Sequence, residues 1–206
     1  MRRFCSRTIC FATVIPGLMV LLCGCRIETR PAGATAESSA NKPRPILDLA
    51  GRASLRQLRG PLEWKPRWAA EADAGDYLLE NAFVRFVVGG AGRQMPAPFC
   101  AGAVIDASLQ HGQDGIRALV PQPGEGAGWN VAYDRVRPLR LGESRIGVRV
   151  TGTVSSHPEL EVETEYVLPA GSHSLSIRTT IFNRGNRAVS GISLADVLFP
   201  GCSERY

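Results

Sequence analysis

The chain has 206 residues, 44% of them apolar and 21% charged, which supports a packed core and excludes a disordered or collagen-like polymer. Its formal charge is +5, but Arg2, Arg3 and Arg7 supply three of those charges at the N-terminus, leaving +2 for the rest. A nucleic-acid partner calls for a clustered basic face, so none is expected. The length suits one domain preceded by a leader.

The first element is that leader. A short basic head, Met1 to Arg7, precedes Ile9 to Cys23, in which no residue is charged. This apolar stretch of about 15 residues falls short of the roughly 20 that a membrane-spanning helix needs, and Pro16-Gly17 interrupts it. A basic head and short apolar core read as a secretory signal. It ends at Leu22-Cys23-Gly24-Cys25, which resembles the bacterial lipobox, a Leu and two small residues before an obligatory Cys. The resemblance implies cleavage between Gly24 and Cys25, a diacylglyceryl group on the Cys25 sulfur and an acylated Cys25 amine. Each buried lipid CH₂ contributes about 0.8 kcal/mol, and two or more chains anchor stably. A metal site needs further ligands at set spacing, and none follow Cys25. Arg26 stands where an Asp would retain a lipoprotein at the inner membrane, so outer-membrane attachment within the cell envelope is expected.

Residues 25–45 follow as a tether. Ala, Ser, Pro and Gly dominate them, with too few large apolar groups to order the chain. Residues 46–74 form a lead-in. Within it Arg52, Arg56 and Arg59 share one stripe at helical spacing, which predicts a short helix packed on the domain edge.

From residue 75 to 206 the period changes to two. Strands are predicted over 76–90, with a turn at Asn81, and over 102–109, 129–141, 144–156, 160–168, 174–182 and 188–199. Pro138 marks an edge strand or a strand end. Leu160, Val162, Thr164 and Tyr166 alternate with Glu161, Glu163 and Glu165. Arg149 and Arg178 on the flanking strands predict cross-strand ion pairs with that acidic face. A cation site there is disfavoured, because a flat strand spaces carboxylates too widely to wrap an ion. Turn residues sit at His157-Pro158, Pro169 to Gly171 and Asn183 to Asn186. The fold class is therefore all-β, an antiparallel β-sandwich.

Candidate chemistry is sparse. The glycine runs at 89–94 and 124–128 match no phosphate-binding pattern and lead into no helix. Asp106, His111 and Asp114 fall within nine residues, and Asp–His pairs can act as a general base. Gly112 and Gly115 flank a predicted turn there, where Asp side chains commonly cap backbone N–H groups, and that structural reading is preferred. No metal and no cofactor is expected. Cys100 and Cys202 remain outside the leader. They read equally as a disulfide, which would stabilise by about 4–5 kcal/mol if geometry allows, or as two buried free thiols. Trp64, Trp68, Trp129 and Tyr133 are candidates to stack on sugar rings, although an aromatic on a strand more often lies in a core.

Several phrases together carry a wider resemblance. "GDYLLENAFVRFVV" (75–88), "GAVIDA" (102–107), "QDGI" (113–116) and "FNRGNRAV…LADVLFPG" (182–201) resemble the β-supersandwich at the front of some bacterial envelope proteins. In those proteins, carboxypeptidase-regulatory-like domains and a polymerase-and-histidinol-phosphatase (PHP) type metallohydrolase domain follow. That sandwich is similar to the galactose-mutarotase-like fold. The resemblance implies a non-catalytic binding or scaffolding module, with carbohydrate or another envelope protein as partner. Two alternatives stand beside it: a mutarotase-like or glycan-processing enzyme, and an N-terminal piece of a larger envelope metallohydrolase. The metallohydrolase's histidines are absent from this sequence, and no mutarotase acid or base motif is recognisable, so no catalytic residue carries over.

Overall fold

The computed structural model describes residues 4–15, 18–26, 53–61, 72–93, 101–110, 114–124, 129–142 and 144–200. Twelve strands run through them: β1 (Phe4–Ile15), β2 (Leu18–Arg26), β3 (Ala53–Gln57), β4 (Tyr77–Asn81), β5 (Val84–Val88), β6 (Val104–Leu109), β7 (Asp114–Gln122), β8 (Val131–Arg140), β9 (Arg145–Val154), β10 (His157–Pro169), β11 (Ser176–Asn183) and β12 (Ala195–Pro200). All paired strands are antiparallel. One sheet has the order β12-β7-β6-β5-β4-β3. The other has the order β2-β1-β11-β10-β9-β8, so the domain's own four strands, β8 to β11, carry the N-terminal hairpin on one flank. The expected antiparallel sandwich is the fold.

Period-two sequence explains the layers. On β10, Leu160, Val162, Thr164, Tyr166 and Leu168 are fully buried, and on β9 Val148, Val150 and Val154 join them. They meet Leu79, Val84, Val88, Val104 and Leu119 of the other sheet in the main core. β3 and β4 lie against β9 and β10 across this interface. Burying a side chain such as Leu160 or Val148 stabilises by about 1.5–3 kcal/mol. β8 closes one edge, with Pro138 in register with Val148, so the proline sits where one side of the strand needs no partner.

The sheet running from β12 to β3 is also buried on its outer face. Leu58, Ala72, Leu78, Val87, Ala103, Ile105 and Ala118 form a second, smaller apolar cluster there, with Val120 and Phe199 against it. This explains near-continuous apolar runs such as Tyr77-Leu78-Leu79 and Val87-Val88, which alternation alone does not.

Three segments differ from the sequence reading. The helix expected in the lead-in is replaced at its centre by β3, whose Ala53 to Gln57 pair with Asn81 to Tyr77. Five residues form a marginal helix alone, whereas β4 offers an open ladder, so pairing overrides the arginine spacing. Asp114 to Gln122, where the expected turn included Gly115, is strand β7, paired with both β6 and β12. The last strand is confined to Ala195–Pro200, and 188–194 carries no strand.

Candidate functional site

Asn81, at the end of β4 and 5% exposed, ties several loops together. Its Oδ1 accepts from the backbone N–H of Phe83 (2.9 Å) and Val84 (3.0 Å), which makes the tight β4–β5 turn. Its Nδ2 donates to the carbonyls of Pro169 (2.9 Å) and Ser172 (2.7 Å) in the β10–β11 turn. The Gln110 side chain donates to the Asn81 carbonyl, and the Gln110 N–H donates to the Phe83 carbonyl at 2.9 Å. One asparagine thus locks three loops together: 81–83, the start of the β6–β7 turn, and 169–174.

These locked loops present apolar surface. Phe83 is 39% exposed and Leu109 42%, two of the three exposed large apolar side chains among the described residues. The His173 ring lies 4.1 Å from the Phe83 ring, tilted by 34°. The outer faces of this aromatic and imidazole pair offer a surface on which a flat or ring-shaped ligand can stack. The sequence signals Asn81 as a turn and places His173 near another, but only the fold brings Phe83 and His173 into contact.

The other candidates resolve differently. Asp106 is 3% exposed on β6, in register with Val87 of the second apolar cluster. Asp114 opens β7 in register with Ser108, two residues along β6 from Asp106. His111 lies outside the described residues, as do Cys100, Cys202, Trp64 and Trp68. Cys25 falls on β2, in register with Arg7 of β1. Tyr133 is a core residue, not a sugar platform: it is 4% exposed and shares a hydrogen bond of 2.9 Å with Thr164. Trp129 is half-buried against the core and capped by the His157 ring at 4.7 Å. His157 in turn meets Glu159 at 3.2 Å. A backbone hydrogen bond, with help from His157, holds the Glu159 carboxyl below the usual range.

Two ionic clusters are structural. On β10, Glu165 accepts from Arg149 of β9 (2.6 Å) and from Arg178 of β11, in the predicted cross-strand register. Burial pushes the Glu165 carboxyl up, but the hydrogen bonds from the two guanidiniums outweigh it and hold the group below the usual range. Glu163 lies 3.4 Å from Arg149, and burial raises its carboxyl against that attraction. Glu161 pairs with Arg184 at 2.8 Å. Among the described residues no group of three or more His, Cys, Asp or Glu is placed to hold a metal ion.

The second cluster centres on Asp76, which sequence reasoning did not single out. Its fully buried carboxylate accepts from Gly90 N–H (2.7 Å) and Asp73 N–H (2.8 Å) and pairs with Arg93. Burial raises this carboxyl above its ordinary value, opposed by those three partners. It fixes the approach to β4 against the glycine run after β5. A Cβ on Gly90 would lie 2.5 Å from the Gly75 carbonyl, which accounts for a glycine in that run without a phosphate.

No helix among the described residues is long and apolar enough to cross a membrane. Comparison with protein families, with characterised proteins and with solved structures finds no match to this chain.

Proposed function

We propose that this chain is a lipid-anchored protein of the cell envelope whose β-sandwich acts as a non-catalytic binding or scaffolding module. Carbohydrate is the ligand class and the loop cluster around Asn81 is the contact surface. The observation that carries the anchor is the junction Leu22-Cys23-Gly24-Cys25 after an uncharged apolar stretch and before a polar, proline-rich tether. The sandwich's share rests on the exposed apolar side chains of Phe83 and Leu109 and on the His173 imidazole against Phe83, on loops tied by the Asn81 hydrogen bonds. The resemblance to a galactose-mutarotase-like supersandwich supports a glycan in preference to other ring-shaped ligands. Attachment to the outer membrane, with the module facing the periplasm or the surface, follows from Arg26 after the acylated cysteine.

Mass spectrometry of protein extracted from membranes tests the anchor. The expected species starts at Cys25 and carries diacylglyceryl and acyl groups, while Cys25→Ser keeps its leader. A soluble, unacylated chain with a free Cys25 thiol contradicts the proposal. A glycan-array screen tests the module. Phe83→Ala is expected to weaken any bound glycan roughly two- to tenfold, since a stacked aromatic contributes about 0.5–1.5 kcal/mol beyond its buried area. Binding unchanged by Phe83→Ala and His173→Ala would remove the loop cluster from consideration.

A further inference from the structure

The two sheets are unequal in a way that bears on assembly. The sheet ending in β12 and β3 has six strands, whereas its partner reaches equal width only through β1 and β2. β11 pairs with β10 along one side, from Leu160↔Asn183 to Val167↔Ser176. Its other side is taken by β1 over seven register pairs, from Phe4↔Phe182 to Cys10↔Ser176. Cleavage between Gly24 and Cys25 removes all of β1 and all but the last two residues of β2. This step rests on the lipoprotein reading given above. It turns β11 from an interior strand into an edge.

That edge lacks the devices that usually block pairing. Ser176 to Asn183 contains no proline, lysine or glycine, and its inward positions are Ile177, Thr179 and Ile181. Its one charge, Arg178, points outward and is already bonded to Glu165. The register with β1 shows that the edge accepts an antiparallel strand from Ser176 to Phe182.

We propose that in the mature protein this edge pairs with the same edge of a second copy, joining two four-stranded sheets into one of eight strands across a two-fold axis. The strand is self-complementary about Thr179. In that register Ile177 faces Ile181 of the second copy and Thr179 faces its own equivalent, so inward residues meet inward residues and the cores become continuous. On the outer face Arg178 meets Thr180 and Ser176 meets Phe182, with no like charges opposed. β-Branched pairs of this kind favour cross-strand pairing, and a register one residue away would turn an apolar row to solvent. Anchoring both copies in one bilayer raises their effective concentration further.

The test uses the full chain, processed in a lipoprotein-maturing bacterium and extracted in detergent. Mass spectrometry reads whether the leader has gone, and sedimentation reads the oligomeric state. In a background carrying Cys100→Ser and Cys202→Ser, the double variant Ser176→Cys/Phe182→Cys is expected to give a reductant-sensitive dimer under mild oxidation. Neither single variant should cross-link, since equivalent positions lie about 20 Å apart in this register. Thr180→Lys sets an ammonium opposite Arg178 of the second copy and should raise the dimer's dissociation constant at least tenfold. A mature, acylated chain that sediments as a monomer and does not cross-link overturns the proposal while leaving the anchor intact. A retained leader overturns both, and the mass alone distinguishes the two failures.

Discussion

Single residues join the two sheets at a few points, and Gly102 is one of them. Its φ is +76°, a conformation that disfavours side chains, and a Cβ there would lie 2.6 Å from the Tyr133 ring of β8. Its carbonyl accepts from the Tyr166 hydroxyl of β10 at 2.9 Å. Two tyrosines of one sheet thus converge on one glycine at the start of a strand in the other. Asn81 does the same for the loops, with both amide donors and its acceptor engaged. Asn81→Ala leaves two buried N–H groups and two carbonyls without that partner, and is expected to cost about 2–4 kcal/mol, read as a lower denaturant midpoint. Asn81→Asp restores the turn acceptor but not the donors, and should recover only part of that loss. Equal stability of Asn81→Ala and wild type would mean that water replaces the side chain at no cost. Asn81 was legible in the sequence as a turn; its bonds to Pro169 and Ser172, 88 and 91 residues away, were not.

At the scale of elements, β9, β10 and β11 are held in register by the row Arg149–Glu165–Arg178. The sequence predicts this row because charges of opposite sign fall on the outward positions of consecutive strands. The pH dependence follows from the direction of the shift. The Glu165 carboxyl is held below its unfolded value, so its contribution is present above the unfolded pKa and is lost as pH falls through the folded one. Glu163 has the opposite sign: its contribution is present in acid and lost as pH rises through its raised folded pKa. Glu165→Gln is therefore expected to lower stability by about 1–2 kcal/mol near neutrality, since the arginines are half exposed. The deficit should vanish in acid below the carboxylate range. Denaturant titrations of both proteins across the acid range check this, and a pH-independent deficit would assign the loss to packing alone. β3 and β7 show where element prediction fails. The arginine spacing of β3 suits a helix equally well, and the Asp-Gly opening of β7 carries the composition of a turn. Neighbouring strands with unpaired backbone groups decide both cases.

For the whole molecule, both faces of the sheet running from β12 to β3 are covered by apolar clusters. Shortening the tether within residues 30–42 is expected to leave the thermal midpoint unchanged to within about 1–2 °C, because in the mature protein it is a terminal segment too poor in large apolar groups to add to the core. A larger shift, measured by calorimetry, would show that the tether packs on the domain. The sequence by itself determined the all-β class, most strand positions and the Glu165 ion row. Side-chain period and charge alternation are local properties, and the pleat converts them directly into faces. It also supplied the signal-like leader and the lipobox-like junction, which are written in composition over a few adjacent residues. Only the tertiary structure decided that Asp106 is buried beside an apolar cluster, that Phe83 meets His173 on loops tied by Asn81, and that β1 pairs with β11. Those facts depend on which strands become neighbours, and that choice is made by the packing of the whole core, where no single segment of sequence carries enough free energy to fix it.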